Sequence, residues 1–376
     1  MNRLPSSLFA ASTLLIAACG SGTTGPTASP TPAPASASAS PAPAPPAPAP
    51  PAPPAPSTAA APYPAGLSEQ QITVDGVARQ YRVHVPATLA GAPKAVVLVL
   101  HGGGGEGTNV ADTGRHPLSV FRSVADREGF VVVYPGGLPA RDIEGNPGWV
   151  DCRADNTVSS GADDLGFLAA LAERVRAEFG LTRSRVFMAG SSNGAQMTHA
   201  FAFDRADLVA AVATSAGSLP QTPRPGGCTT GPSRPLPILI LHGTADTQMP
   251  WGGGCVANLG GACNRGRVIS AEATRNRWLA INGLTGTTST ATVINDDTSD
   301  GGPANRFDYA GPAPVQWWRL DGAGHAAPSR SVPVGANPVT GIQNRDVEFA
   351  ELAWSFFAAR LPDASSAAPP SASAIP

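Results

Sequence analysis

Charge is scarce in this chain of 376 residues: Asp, Glu, Lys and Arg make up 14% of it, and the formal net charge is −2. That balance builds neither a basic patch for nucleic acid nor an acidic tail. No internal repeat is visible. No Gly-Lys-Ser/Thr follows the glycine run His101-Gly-Gly-Gly-Gly105, which sets aside a phosphate-binding loop. No C-x-x-C and no paired histidines occur, so neither a zinc site nor any other metal or organic cofactor is expected. Long apolar runs are missing as well, since Leu8 to Ala18 is too short to span a bilayer.

That short run has another reading. With Arg3 before it and Leu15-Ile-Ala-Ala-Cys19 at its end, it has the layout of an export signal. Small residues before a cysteine resemble a bacterial lipobox, so residues 1–19 are expected to be a lipoprotein signal with Cys19 acylated. Residues 20–62 are Ala/Pro/Ser-rich and cannot form a core. In polyproline II geometry, at ~3.1 Å per residue, they form a tether on the order of 120 Å. Residues 63–361 are the expected catalytic domain, and 362–376 return to a disordered Ala/Ser/Pro tail. The expected location is therefore the cell envelope, anchored by lipid alone, or the exterior.

Between tether and tail, short apolar runs alternate with helical spacing. Asp75-Gly76 joins two alternating segments as a hairpin. Strands are expected over 95–100, 130–134, 186–188, 208–214, 236–241 and 315–320. Helices are expected over 113–128, from Asp163 or Asp164 to Phe179, from Ala195 to Phe203, over 268–281 and over 347–361. Strands alternating with helices define an α/β fold with a mostly parallel sheet and helices on both faces. Residues 63–361 fit one such domain.

The chemistry centres on Gly190-Ser-Ser-Asn-Gly194. It reads as G-x-S-x-G between a buried strand and a helix, the sharp turn that presents a nucleophilic serine. Ser192 needs an imidazole base and a carboxylate to orient it. Asp246 follows the strand ending at Leu241, and His325 follows the strand ending at Leu320, in the chain order an α/β-hydrolase requires. Asp300 and Asp321 are the fallback carboxylates. His84 is expected to be solvated on the hairpin, His101 and His242 to pack at strand ends, and His116 and His199 to sit in helices. The backbone amides of Gly103 and Asn193 are the expected oxyanion hole. Trp149 and Trp251, with Trp317 and Trp318, are candidates for an aromatic acyl pocket, although adjacent strand residues point to opposite faces. Cys152, Cys228, Cys255 and Cys263 suggest two disulfides in an exported chain. Of three connectivities, Cys255–Cys263 with Cys152–Cys228 is the one expected.

With those residues placed, the chain resembles the exported polyhydroxybutyrate depolymerase/feruloyl esterase family, including its lipoprotein esterase branch. The match is carried by Leu100-His-Gly-Gly-Gly-Gly105, Asp163-Asp-Leu-Gly-Phe167, Met188-Ala-Gly-Ser-Ser-Asn-Gly194, Leu241-His-Gly-Thr-Ala-Asp246 with Pro250-Trp-Gly-Gly-Gly254, and Gly322-Ala-Gly-His325. The resemblance implies a serine carboxylic-ester hydrolase with Ser192 as nucleophile, Asp246 as acid and His325 as base. Its expected substrates are feruloyl-type or other small esters, polysaccharide-linked or polymeric, handled by a monomer. Two departures bear on substrate: the glycines after His101-Gly102, and Ala-Ala-Pro after His325. The alternatives are a polyhydroxyalkanoate depolymerase and a catalytically silent surface binding protein.

Overall fold

The computed structural model describes residues 62–105, 107–112, 114–140, 145–257 and 263–362. The export signal, Cys19 and the bulk of the tether and tail lie outside the described residues.

The hairpin forms as its sequence requires. Strands β1 (Gly66–Val74) and β2 (Val77–Val85) pair antiparallel. Asp75 and Gly76 both take positive φ (49° and 79°), the backbone of a two-residue turn whose twist matches that of the strands. The apolar runs then supply β3 (Val96–Leu100), β4 (Val131–Pro135), β5 (Val186–Ser191), β6 (Ala211–Ser215), β7 (Ile238–Gly243) and β10 (Val315–Leu320), with β8 (Thr292–Ile294) and β9 (Ala304–Tyr309) between the last two. All belong to one ten-stranded sheet in the order β1-β2-β4-β3-β5-β6-β7-β10-β9-β8. The run from β4 to β10 is parallel, and the edges are antiparallel.

Both faces of the parallel run are covered, which is why its strands are apolar throughout. On one face Leu98, Leu100 and Met188 pack with helices α2 (Asp164–Glu178), α3 (Asn193–Asp204) and α4 (Ala271–Ile281). On the other Val97, Val99 and Phe187 pack with α1 (Val120–Glu128) and α5 (Phe349–Ala358). Trp317 belongs to the first layer and Trp318 to the second, so neither lines an acyl pocket. Chain order reverses between β3 and β5, and open α/β sheets bind ligands at the carboxyl ends of strands at such a switch point.

Several boundaries differ from the expected ones for local reasons. The first long helix begins near Pro117 rather than Thr113. Pro117 opens a single 3₁₀ turn capped by His116, whose Nδ1 accepts from the Leu118 N–H at 3.1 Å. Proline fits only the first turn of a helix. Helix α4 starts at Ala271 under a Ser270 cap, because Val268 is already paired with Gly254. Of the two aspartates before α2, Asp163 is the cap. Asp164 is buried and pairs with Arg79 at 2.6 Å.

Candidate active site

The turn after β5 places Ser192 at φ 58° and ψ −124°, a strained conformation for a non-glycine residue. It persists because its surroundings leave no alternative. The Ser192 N–H donates to Ser215 O at 2.9 Å. Helix α3 starts directly afterwards, so close beneath the strands that a Cβ at Gly194 would collide with the Leu100 and His101 carbonyls. A Cβ at Gly190 would strike the Gly194 carbonyl.

Two loops from neighbouring strands meet the serine. The Ser192 hydroxyl donates to His325 Nε2 at 2.7 Å, and His325 Nδ1–H donates to Asp246 Oδ2 at 2.8 Å. The loop carrying His325 is held by its backbone, since Gly324 N donates to Ile342 O and His325 N to Thr340 O. Asp246 Oδ1 accepts from the Gln248 and Met249 amides at 2.9 and 2.8 Å. Burial raises the Asp246 carboxyl, yet the His325 hydrogen bond, the His325 and His242 charges and the Met249 amide together hold it below its ordinary value. His242 lies 3.6 Å from it. The fallback carboxylates are engaged elsewhere: Asp300 accepts from Arg345 N, and Asp321 pairs with Arg319.

The loop after β3 lies alongside. A Cβ at Gly102 would touch Ser192 Cβ at 3.1 Å, so small residues are required there. Gly104 and Gly105 donate to Pro147 O and Gly102 O, whereas among the described residues the Gly103 and Asn193 N–H groups donate to no protein oxygen. His101 shapes this loop. Its Nδ1–H donates to Gly102 O at 2.7 Å, and its Nε2 accepts from Gly137 N at 2.9 Å. Burial pushes its pKa down to about 4, so the ring is neutral.

These groups open into a cleft of about 410 Å³. Its polar wall includes Asn146, Arg153, Gln248 and Arg265 from separate loops and Gln196 from α3, a meeting no local pattern announces. Trp149 reaches the cleft but is only 2% exposed. Its Nε1–H donates to His101 O, and its ring lies 4.7 Å from that of His101. Trp251 is not among the described lining residues. It packs against Trp317 and His242, with centroids 5.7 and 6.0 Å away. The expected acyl pocket is thereby corrected for Trp251, Trp317 and Trp318, while Trp149 lines the cleft as expected. His84 is also corrected: it is buried, with Nε2 2.7 Å from Asp126 Oδ1. The expected disulfides, Cys152–Cys228 and Cys255–Cys263, are both present.

Sheet order, the strand–turn–helix at Ser192 and loops after β7 and β10 that converge on it define an α/β-hydrolase fold. Residues 79–222 match the Esterase PHB depolymerase family, which bears out the resemblance over that stretch. Among curated relatives, NocK of Nocardia uniformis subsp. tsuyamanensis, named as an esterase, is 32% identical over 50% of this chain and 51% of its own length. The bifunctional acetylxylan esterase/xylanase XynS20E of Neocallimastix patriciarum is 28% identical over 46% and 22%. Feruloyl esterase B of Talaromyces stipitatus is 30% identical over 37% and 36%. The chain thus spans about half or less of the length of these relatives. A solved acetyl xylan esterase from Aspergillus awamori superposes with a TM-score of 0.47 at 19% identity, covering 70% of this chain and 95% of its own.

Proposed function

We propose that the chain is a serine carboxylic-ester hydrolase. The observation that carries this reading is the unbroken hydrogen-bond series from Ser192 Oγ through His325 to Asp246. Ser192 Oγ attacks the ester carbonyl as His325 Nε2 takes its proton. The charged Asp246 stabilises the imidazolium that forms. The oxyanion of the tetrahedral intermediate lies toward the Gly103 and Asn193 amides, at the positive end of α3. His325 returns the proton to the departing alkoxide. Water then cleaves the acyl-enzyme with His325 as base again.

The substrates proposed are small carboxylic esters, feruloyl-type or shorter, on a polar alcohol. The names of the feruloyl and acetylxylan esterases among the relatives support both acyl types. A specific observation favours the shorter: among the described residues the cleft has one indole, Trp149, and it is almost wholly buried. Among the described lining residues no tyrosine or phenylalanine and no second tryptophan is left to stack on a hydroxycinnamate. Polyhydroxyalkanoate depolymerisation is the second reading, supported by the family match. An oxidising compartment suits the two disulfides, and acylation at Cys19 would add a membrane anchor.

The test is an ester panel of p-nitrophenyl acetate, methyl ferulate and a polyhydroxybutyrate suspension, with Ser192→Ala as control. The expected result is hydrolysis by the native protein, best on the acetate, and loss of at least about 10³-fold in the variant. A native protein that hydrolyses nothing and takes up no fluorophosphonate label would leave the binding-protein reading standing instead.

A further inference from the structure

The residue after the nucleophile, Asn193, lines the cleft, yet its side-chain amide is taken up by the protein itself. Asn193 Oδ1 accepts from the Trp149 N–H at 2.7 Å, and its Nδ2 donates to Asp151 Oδ2 at 2.7 Å and to Trp149 O at 3.3 Å. One amide thus ties the first turn of α3 to three groups of a single loop. That loop is itself fixed. The Asp151 and Arg153 side chains are only 1% and 4% exposed and pair at 2.6 Å. Arg153 Nε donates to Asp151 Oδ1 at 2.9 Å, as does the Arg153 N–H. Between them Cys152 is disulfide-bonded to Cys228, 76 residues further on. Arg153 also donates to Arg265 O, another residue of the cleft lining.

From this we infer that Asn193, Asp151 and Arg153 form a positioning unit that sets the direction of the Asn193 backbone N–H. The inference rests on the esterase reading above and deepens it. The physical reason is that an N-terminal residue of a helix has a free N–H and the fewest helical restraints. An oxyanion donor must nevertheless be in place before charge develops. The Asn193 side chain supplies the missing restraint from a loop that a buried ion pair and a disulfide hold in register. A buried carboxylate whose partners are all donors is held in one orientation. None of the three side chains reaches Ser192 or His325 by a hydrogen bond, so their effect is exerted through the backbone amide.

The experiment uses the full chain with p-nitrophenyl acetate and a trifluoromethyl ketone analogue, which forms a tetrahedral adduct with the serine and presents an oxyanion. Asn193→Ala keeps the backbone amide and removes the restraint. We expect kcat to fall about 10- to 100-fold, KM to change less than about threefold, and the ketone inhibition constant to rise by the same factor as kcat/KM falls. Asp151→Asn keeps the shape, leaves Arg153 uncompensated and should give a smaller loss of the same kind, so it decides the matter if Asn193→Ala does not fold. A kcat within threefold of native in a folded variant overturns the inference. So does a loss of kcat with unchanged ketone affinity, which would be general loosening. An inactive native protein instead brings down the esterase reading, and this inference with it.

Discussion

At Asp246 burial and its neighbours pull in opposite directions, and the neighbours win: desolvation raises the carboxyl, but the His325 hydrogen bond and the nearby charges bring it below its ordinary value. This gives Asp246→Asn a clear expectation. The neutral amide keeps the shape but offers an N–H where His325 needs an acceptor, and the imidazole then turns its wrong tautomer to Ser192. A loss of about 10³- to 10⁴-fold in kcat is expected, with the thermal transition nearly unchanged. Steady-state rates beside a melting curve check it, and a variant within tenfold of native would exclude the role. All three residues of this series were legible in the sequence, because each lies directly after an apolar strand, and strand ends are where such a fold exposes side chains. His84 was not legible. Alternation along β2 implies an outward face, yet His84 is 4% exposed and its ring meets Asp126 of α1. A period of two says which residues share a face, but not whether a helix covers it.

The strand–turn–helix from β5 to α3 is an element whose sequence leaves almost no freedom. Gly194 sits where α3 passes against the carbonyl oxygens of Leu100 and His101, with no room for a methyl group. Gly194→Ala must therefore push α3 away from β3, moving Ser192 relative to His325. The expected outcome is loss of most soluble, folded protein, or a destabilisation of about 3 kcal/mol or more with activity lost. Urea unfolding measures it, and a native-like midpoint with native rates would contradict this account. Such contacts make G-x-S-x-G informative when it follows a buried strand. Other elements left weaker traces. Strand β9, Ala304-Asn-Arg-Phe-Asp-Tyr309, is half polar and gains its place by pairing with β10. Its partner therefore determines it more than its own pattern does. The cleft walls are harder still, because Gln196 of α3 meets Arg153, Gln248 and Arg265 only where separate loops converge on it.

For the molecule as a whole, covalent and titratable groups set the conditions under which the site stays assembled. The Cys152–Cys228 bridge closes a separation of 76 residues and Cys255–Cys263 one of 8. Chain-entropy arguments give about 4.5 and about 2.5 kcal/mol respectively, so replacing the first pair by serine should lower the urea midpoint more than replacing the second. Equal midpoints would show that native-state strain or denatured-state structure outweighs loop length. The pH dependence follows from three histidines. Burial lowers His101, His116 and His199 to about 4 from an ordinary 6.5. The unfolded chain therefore takes up protons below pH 6.5 that the folded chain refuses until about pH 4. Between those values the unfolded state binds more protons, so stability rises with pH. The contribution is complete above about 6.5 and is lost as pH falls toward 4. Each pH unit separating a ring's folded and unfolded pKa is worth about 1.4 kcal/mol, so the three rings together contribute on the order of several kcal/mol. Asp246, whose folded value is depressed, adds a loss in the same direction only below its ordinary carboxylate range. Urea midpoints at pH 7, 5.5 and 4.5 should fall in that order, with His199→Gln flattening the slope, because a side chain that does not titrate removes one proton from the difference. His199 suits this test because it lies away from the Ser192 series, accepting from Trp278 Nε1–H at 3.1 Å in the core. A midpoint constant from pH 7 to 4.5 would show that these rings are not held neutral, and that the interior admits charge more readily than its burial implies.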